Sequence, residues 1–572
     1  MKKLNLENRI LYIIMSIFIY LSLSNYLKLN NFNILSICLL VPIYMIISKY
    51  YFRLVDKKSR IIGLIFAIFY SIGNICYINT YTKVNVFNEI FTFKTLYCTI
   101  GLYILFSLLI SIILSKIFSL NTESESNFKS NKKLFVESML IILLCNIPYF
   151  LSCFPGLIAP DSVYQIEQFK HIQVLTDHHP VMHTMFIKFC YKIASFFTES
   201  ENIKAAFTTL VQMIIMSGIY SYFIVFLNKH KVNKKILIIM SIIFGLLPVY
   251  AFFSLSMWKD VLFGGFFLLF MINIYTLIER QDNLKIYHYI SFVIISLLVL
   301  FFRNNALYMY IIFVPFIIIY LKKHFKYIAP SVLIVFIVFF TIKYPVYNHL
   351  GVERSKSWEY LGIQIQQVGR MAYKNVKFTK EEKTEIEKFI TIENLKKDYN
   401  PRVSDGIKFS LNLNQEYFET NNKEFLKLWS HLVVKHFDVA VETYFVSTLG
   451  YWYPNLENNA VEIGVTKNNI DLYSNPLVPE KINKFINNLY SYNTPFLSLQ
   501  WNLGLFIWFT VLFGITCFKK NKKYFICYIP VIGMWLTLML ASPVNGMLRY
   551  VFWLYTSFPF LFFINTFQKN KK

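Results

Sequence analysis

Long apolar segments separated by short polar ones make up most of this chain. A helix must hold about 20 mostly apolar residues to cross the roughly 30 Å hydrocarbon core of a bilayer. Segments of this kind recur, so we predict an all-α integral membrane protein with about fourteen transmembrane helices. The predicted spans are residues 10–27, 34–49, 61–77, 96–117, 134–152, 205–227, 236–253, 261–278, 289–302, 306–321, 327–342, 501–518, 524–541 and 549–566.

Residues 343–500 form the one long segment that is polar enough to face water. The run LGIQIQQVGRMAY predicts a helix, and KFTKEEKTEIEKFI predicts a second helix that Thr379 caps. A third helix is predicted over EFLKLWSHLVVKHFDVAVETYF, and the stretches around Pro401 and Pro454 predict loops. We therefore expect a mainly helical extracytoplasmic domain.

The basic residues between the spans indicate which side each loop faces, because Lys and Arg accumulate on the cytoplasmic side. When Lys2, Lys3 and Arg9 are placed in the cytoplasm, alternation puts every strongly basic loop there too. This holds only if residues 181–197 form an interfacial helix rather than a span. We therefore predict a multi-pass protein of the cell membrane with cytoplasmic N- and C-termini and an extracytoplasmic active face. The loops predicted to be cytoplasmic are residues 49–60, 119–133, 228–235, 279–285, 322–326 and 519–523, and the tail after Gln568.

Composition excludes several classes of protein. Hydrophobic residues make up 56% and charged residues 16% of the 572 residues, unlike an ordinary water-soluble protein. The formal net charge of +25 comes largely from short basic runs between apolar segments, and no RNA- or DNA-binding motif accompanies it. We therefore expect membrane lipid and no nucleic acid among the partners. The eight cysteines include no CxxC pair, so they predict neither a disulfide framework nor a thiolate metal site.

Polar residues crowd into the stretch from Cys153 to His183, directly after a predicted span. Asp161 lies there between Pro160 and Ser162, at the membrane border. A carboxylate that is partly removed from water can act as a general base or a metal ligand, because its pKa can be tuned. Asp161 is equally suited to cap the following helix SVYQIEQF, and the residues leave both roles open.

Histidines follow in the run DHHP at 177–180, with His183 four residues after His179. Histidines at positions i and i+4 of a helix can share a metal ion, which makes Asp161, His179 and His183 candidate ligands of a divalent metal. No HExxH motif supports that site, and a proline intervenes. His178 and His179 can instead contact a bound phosphate or sugar, or be structural.

Three more polar clusters interrupt apolar segments. Charges at membrane depth cost of order 2 to 4 kcal/mol, so they usually face a cavity or a partner. Fixed cations beside amides are what a phosphate headgroup requires, whereas Lys259 could also extend its ammonium group to the interface. The clusters are Trp258 to Asp260 after SLSM, Arg303 to Asn305 between two apolar runs, and Asn545 to Arg549 at the end of SPVNGMLR.

The motifs PGLIAPDS, DHHPVMHT, WKD, RNN and SPVNGMLRY together resemble an uncharacterised group of bacterial polytopic membrane proteins related to the GT-C glycosyltransferase superfamily. That superfamily includes the protein mannosyltransferases, the aminoarabinose transferases of lipid A and the oligosaccharyltransferases. The resemblance covers most of the chain after about residue 134. It implies a GT-C-like transmembrane core over 134–342, with a first large outer loop at 153–204, after a four-span extension at 1–133. The 343–500 domain would follow, and then a three-span unit with a cytoplasmic tail at 501–572.

The resemblance implies transfer of a sugar from a polyprenyl-phosphate donor to a cell-envelope polysaccharide, lipid or protein acceptor on the extracytoplasmic face. It also implies an acidic catalytic residue in the first large outer loop, and only Asp161 matches that position. Members often carry a second acidic residue beside the first, whereas Pro160 and Ser162 flank Asp161 here. No cofactor beyond the divalent metal is suggested. The residues expected to bind the phosphate or substrate are His178, His179, Lys259, Asp260, Arg303, Asn304 and Arg549.

Three other functions fit a polar outer face. A surface-polysaccharide polymerase or ligase would use a diphosphate-linked oligosaccharide instead of a monophosphate sugar. A polytopic transporter of lipid or solute would favour ionisable groups near the midplane and inverted repeats, but the sequence shows no repeat and its polar clusters lie at span ends. A scaffold for envelope assembly would need neither Asp161 nor Arg303.

Overall fold

The computed structural model describes residues 6–29, 34–120, 122, 130–454, 456, 463–490, 496–541 and 544–567. These residues form helices and loops, and none of them forms a β-strand. Three parts of the sidedness prediction lie outside the described residues. They are Lys2 with Lys3, a large part of the 119–133 loop, and the tail after Gln568.

Ten of the described helices are long and apolar enough to cross a membrane, so the chain is a multi-pass membrane protein. An eleventh span results if Lys234–Leu246 and Pro248–Leu255, which meet at 51°, cross together. The prediction of about fourteen is not confirmed, because the segments predicted at 289–302, 306–321 and 549–566 form helices of only 17, 15 and 12 residues. The ten are Glu7–Tyr26, Ser36–Leu54, Lys57–Ile78, Phe93–Ser119, Asn131–Ser152, Glu201–Lys229, Lys259–Glu279, Lys322–His349, Leu503–Lys520 and Lys522–Ala541.

Local sequence explains two of the interruptions. Leu247, with φ −67° and ψ 124°, takes the extended conformation that a residue before proline favours, and the helix bends there. The helix Ile286–Phe302 ends where Arg303 becomes extended, at φ −153° and ψ 118°. The stretch predicted to lie at the interface forms the helix Val181–Ala194, which has 14 residues and is not among the candidate spans.

The described chain divides into two compact units. The first contains Met1–Leu120, Ser357–Leu456 and Ala541–Asn545, and the second contains Asn121–Lys356, Glu457–Leu540 and Gly546–Lys572. The segment predicted as one 343–500 domain is therefore shared between the units. Its central helices pack with the N-terminal spans, which the sequence had suggested were a separate extension.

A buried ionic network holds the first unit together. Glu442 is fully buried and pairs with the fully buried Arg370 and with Lys374, whose Nζ lies 2.6 Å from Glu442 Oε2. The same carboxylate accepts the Val86 backbone N–H, and Arg370 donates to the Thr80 carbonyl oxygen at 3.0 Å. These contacts attach the helix Gly362–Tyr373 to the loop that follows the third N-terminal span.

The predicted helices of the polar segment are largely confirmed. The first forms as Gly362–Tyr373, and the second, Lys380–Glu387, begins with a capping box in which Thr379 and Glu382 bond each other's backbone N–H groups. The third helix was predicted as one continuous helix, and that was wrong. The helix is interrupted at His436, which separates the helices Asn422–Lys435 and Phe437–Thr448. The other helices of this unit are Leu6–Tyr26, Ile34–Cys38, Leu40–Leu54, Lys57–Ile78, Val86–Ile90, Phe93–Ser119, Ile392–Asp398, Asp405–Lys408 and Gln415–Thr420.

The second unit surrounds the helix Lys259–Glu279, most of whose residues are buried. Phe552–Phe563, Ile286–Phe302 and Glu201–Lys229 pack against it. Aromatic side chains fill much of the space, as in the stacked pair Phe253 and Phe552, with ring centroids 4.3 Å apart. The other α-helices of this unit are Asn131–Ser152, Pro160–Phe169, Val181–Ala194, Lys234–Leu246, Pro248–Leu255, Ala306–Tyr320, Phe325–Thr341, Tyr347–His349, Glu480–Asn488, Leu503–Lys520 and Tyr528–Ala541.

Candidate functional site

Asp161 lies in the first turn of the helix Pro160–Phe169. The capping interpretation of Asp161 was wrong, because the helix begins at Pro160, two residues before Ser162, and Ala159 occupies the N-cap position. Proline favours the first helical position, since its φ is already helical and it has no N–H to satisfy. The Asp161 carboxylate is therefore available for contacts outside its own helix.

Three basic side chains surround one oxygen of Asp161, Oδ2. Arg549 donates to it from Nη1 at 2.6 Å, the Lys259 Nζ lies 3.7 Å away, and the His179 Nδ1 lies 3.9 Å away. Lys259 also donates to His179 Nδ1 at 2.7 Å, so its ammonium group points into the cluster and does not extend to the interface. Four segments that are far apart in the sequence thus converge within the second unit.

Asp260 and Arg303 form a buried ion pair beside this cluster. Their side chains are 1% and 8% exposed. Arg303 also donates from Nε to Asn305 Oδ1 at 2.9 Å, and Asn305 donates to Thr537 Oγ1 at 2.9 Å. Arg303, predicted to bind phosphate, is therefore engaged by its own protein, and its contacts fix the start of the helix that carries Lys259.

Asn304 connects a second carboxylate, Asp177, to the same region. The Asn304 side chain donates to the Asp177 backbone oxygen at 2.7 Å, and Lys343 donates to Asn304 Oδ1 at 3.2 Å. Lys343 also pairs with Asp177 at 3.0 Å, and the other oxygen of that carboxylate accepts the Ser355 N–H at 2.7 Å. The loop before His178 is thereby tied to the C-terminal end of the candidate span Lys322–His349 and to the chain that follows it.

The basic loops of the second unit meet at the opposite helix ends. His230, after one span, pairs with Glu279 at the end of another at 2.9 Å. His324 donates from Nε2 to the Gln281 backbone oxygen, and Lys520 donates to the Asn565 backbone oxygen at 2.6 Å. The second unit therefore separates the predicted active clusters from the predicted cytoplasmic loops, although which end faces the cytoplasm stays a prediction.

The histidines do not form the predicted metal pair. Pro180 is the N-cap residue of Val181–Ala194, so His179 lies before that helix and His183 lies within it. His183 Nδ1 bonds Gln165 Oε1 at 2.9 Å, and no group of three His, Cys, Asp or Glu side chains among the described residues is placed to bind a metal. Asp161, His179 and His183 thus do not fit a shared ion, and no step is assigned to one.

The charges of the cluster set its protonation states. Burial alone would raise the pKa of Asp161, but Arg549 and the other basic neighbours outweigh burial and hold that pKa well below its usual value. Burial and the adjacent Lys259 ammonium group lower the pKa of His179 well below its usual value. Burial lowers the pKa of His183 to about 3. Asp161 is therefore a carboxylate and both imidazoles are neutral near pH 7.

Two aromatic residues, Trp258 and Tyr550, to which the sequence assigned no role of their own, complete the surroundings of Arg549. Its guanidinium carbon lies 5.2 Å from the Trp258 ring centre and 5.1 Å from the Tyr550 ring centre. Arg549 Nε and Trp258 Nε1 are buried donors without a hydrogen-bond partner among the described residues. Each residue adjoins a predicted site residue, but only folding brings the two donors together. His178 stays at the edge, with its ring 4.5 Å from that of His179.

The model of one protein family, a family of unknown function (DUF6020), matches residues 163–572. The match contains most of the cluster but begins just after Asp161, and it does not connect the chain to the GT-C superfamily. The comparisons with curated proteins and with solved structures each gave no match.

Proposed function

We propose that this chain, which belongs to the family DUF6020, is a membrane glycosyltransferase. In this proposal it moves a sugar from a polyprenyl-phosphate-linked donor to a cell-envelope acceptor on the extracytoplasmic face. The observation that carries the proposal is the convergence of Arg549, Lys259 and His179 on one oxygen of Asp161. That arrangement combines a carboxylate with the fixed cations that a leaving phosphate needs.

Phosphate binding is the first role of the site in this proposal. The cluster with its neighbouring ion pair holds three basic groups, Arg549, Lys259 and Arg303, against two carboxylates, so an anion is favoured there. Arg549 and Lys259 remain 12% and 18% exposed, whereas Arg303 is engaged with Asp260. We therefore assign phosphate contact to Arg549 and Lys259, and a positioning role to Arg303 and Asp260. The buried Arg549 Nε–H and Trp258 Nε1–H would gain an acceptor when phosphate oxygens arrive.

Phosphate binding would also change Asp161. The cations that depress its pKa would be shared with the phosphate. The pKa of Asp161 would then rise towards its ordinary value, because a competing anion weakens the stabilisation of the carboxylate. The donor would in this way convert a weakly basic carboxylate into a general base, so that activation of the acceptor depends on donor occupancy.

The proposed step has a simple balance of bonds. An acceptor hydroxyl oxygen forms a bond to the anomeric carbon, and the bond between that carbon and the phosphate oxygen breaks. The hydroxyl proton passes to Asp161, and polyprenyl phosphate leaves with the bonding electron pair. Arg549 and Lys259 stabilise the charge that develops on the phosphate. The neutral His179, with His178 beside it, is placed to orient the donor or acceptor.

The test is sugar transfer by the purified full-length chain with radiolabelled polyprenyl-phosphate sugars. We expect Asp161→Asn to lose at least about 100-fold in rate, the scale of general base catalysis. The matched control is Glu199→Gln, since Glu199 is also in the outer loop but its side chain is 96% exposed. Full transfer by Asp161→Asn would remove this carboxylate from the mechanism. A polyprenyl-diphosphate oligosaccharide is tested in parallel, and turnover of that donor alone would favour the polymerase or ligase function.

A further inference from the structure

A large cavity opens in the second unit at the helix ends opposite to Asp161. Its volume is about 1480 Å³, and it lies between the helices Glu201–Lys229, Lys259–Glu279 and Ile286–Phe302. The proposed transfer reaction does not use it, because the Asp161 cluster is at the other ends of these helices. A cavity of this size exceeds what a few waters need and is larger than the roughly 300–1,000 Å³ typical of small-molecule sites.

The walls of the cavity carry many apolar side chains along the membrane-spanning helices. The polar residues Asn273, Ser291 and Thr276 also line it, but Asn273 bonds Ser291 and Thr276 bonds a backbone oxygen of its own helix. Ile215, Ile219 and Phe226 contribute from one helix, and Leu269 and Ile272 from the next. From residue 215 to residue 229 a helix rises about 21 Å, which is somewhat more than one leaflet, or half of the roughly 30 Å hydrocarbon core. The cavity therefore has the depth and the lining of a site for an acyl chain.

The rim of the cavity is basic. Lys229, Lys231, Arg280 and Lys523 line it. Two acidic residues, Glu279 and Asp282, also line this end of the cavity. The Glu279 carboxylate is already bonded to His230 at 2.9 Å, and the four cations still outnumber the two carboxylates. Basic pockets between transmembrane helices suit anionic lipid headgroups, and each nearby Lys or Arg contributes about 1 kcal/mol in membranes that contain such lipids.

Tyrosines mark the level at which the rim meets the membrane interface. Tyr222 and Tyr287 both line the cavity, and they are 45% and 53% exposed. Tyr is favoured at headgroup depth because its ring is apolar and its hydroxyl is polar. The cavity thus combines apolar walls, interfacial tyrosines and a cationic rim in the order in which a phospholipid presents its chain, glycerol region and phosphate.

We propose that this cavity binds one anionic phospholipid from the leaflet at the basic-loop end, with an acyl chain between the three helices and its phosphate at Lys229 and Arg280. A soluble anion is disfavoured by the apolar lining below the rim. The site is independent of the proposed transfer reaction, because it shares no residue with the Asp161 cluster.

Gly218 offers a way to fill the cavity without disturbing the protein. It lines the cavity, and a Cβ added there would meet only Phe135 Cζ at 4.0 Å. A Gly218→Leu side chain would therefore occupy the space of the acyl chain. The rim is tested separately with Lys229→Gln/Arg280→Gln. Its matched control is Lys235→Gln/Lys326→Gln, which removes two charges from neighbouring basic loops outside the cavity lining.

The experiment measures lipid retained by the purified full-length chain, using native mass spectrometry with phosphatidylglycerol and phosphatidylcholine of identical chains. Soluble glycerol phosphate serves as a third probe. We expect preferential retention of phosphatidylglycerol. The rim variant should lower its affinity about 25-fold, since about 1 kcal/mol per cation corresponds to about fivefold. Gly218→Leu should reduce retention of both lipids, and the control pair should change neither.

Three results would each overturn the proposal. Equal losses in the rim and control pairs would mean that general surface charge attracts the lipid. Unchanged retention in Gly218→Leu would mean that no chain occupies the cavity. Competition by glycerol phosphate as effective as that by the lipid would identify a soluble anion site. The two variants alter different parts of the cavity, the rim and the space between the helices. If size-exclusion chromatography shows that one of them misfolds, the other still tests the proposal.

Discussion

The buried pair of Asp260 and Arg303 gives a quantitative test of how the candidate site is built. Replacing Arg303 by Gln leaves a carboxylate that is 1% exposed without its guanidinium partner. Removing one member of a buried pair typically costs about 3–5 kcal/mol, because the remaining charge stays desolvated. The lost Nε bond to Asn305 adds about 1 kcal/mol, while the positive charge of the adjacent Lys259 partly compensates. We expect a net loss of about 3–4 kcal/mol.

The assay is equilibrium unfolding of the full-length chain in mixed micelles. Lys484→Gln is the control, because Lys484 and Glu480 form an exposed pair whose side chains are 72% and 78% exposed, and such pairs contribute about 0–1 kcal/mol. The double variant Asp260→Asn/Arg303→Gln should be more stable than Arg303→Gln alone, because no uncompensated charge remains. A loss in Arg303→Gln no larger than in Lys484→Gln would refute the reasoning.

Three further predictions concern the first unit and the helix contacts, all measured by the same unfolding assay. Glu442→Gln should destabilise by about 3–5 kcal/mol, because it leaves the fully buried Arg370 without a carboxylate. Burial would raise the pKa of Glu382, but hydrogen bonds from Lys435 and its other partners lower it to about 2. The folded chain should therefore lose stability as pH falls from about 4.3, the ordinary pKa of a glutamate, through about 2, and Glu382→Gln should make that loss smaller. Gly101→Ala should destabilise because its methyl group would overlap the Phe18 carbonyl oxygen, whereas Gly218→Ala has open space.

The outcomes that would contradict these predictions are distinct. An unchanged midpoint in Glu442→Gln would mean that the ionic network does not hold the central helices to the N-terminal spans. A loss of stability in acid that is as large in Glu382→Gln as in the unaltered chain would assign the whole loss to other carboxylates. Equal effects of the two glycine substitutions would mean that the close helix approach at Gly101 is readily relaxed.

The span pattern was largely predictable because transmembrane helices satisfy their backbone hydrogen bonds internally, so a local run of apolar residues suffices to specify them. Eleven of the predicted segments correspond to helices or a bent pair of sufficient length. The other three are shorter. Arg303 to Asn305 separate the helices Ile286–Phe302 and Ala306–Tyr320, and the third helix begins only at Phe552, after a 3-10 turn that contains Arg549. The length of an apolar run alone therefore does not determine where a helix ends. A charged residue such as Arg303 can end a helix early when a residue elsewhere in the fold forms an ion pair with it.

The sequence also marked the residues of the candidate site, but not how they pair. Asp161, His179, Lys259 and Arg549 were each recognisable as polar residues beside an apolar run. Nothing local indicated that Arg549 would reach Asp161, 388 positions away, or that Arg303 would be engaged by Asp260. Hydrogen-bond partners of this kind depend on which helix ends become neighbours.

The sequence by itself determined that this chain crosses a membrane many times and where its charged residues interrupt the apolar segments, because both follow from the short-range cost of exposing polar groups to hydrocarbon. Only the tertiary structure decided that Asp161 is surrounded by cations rather than capping its helix, and that the central polar helices join the N-terminal spans. Those outcomes depend on charge pairs between distant segments, such as Arg370 with Glu442, whose free energy exists only after packing has excluded water from both partners.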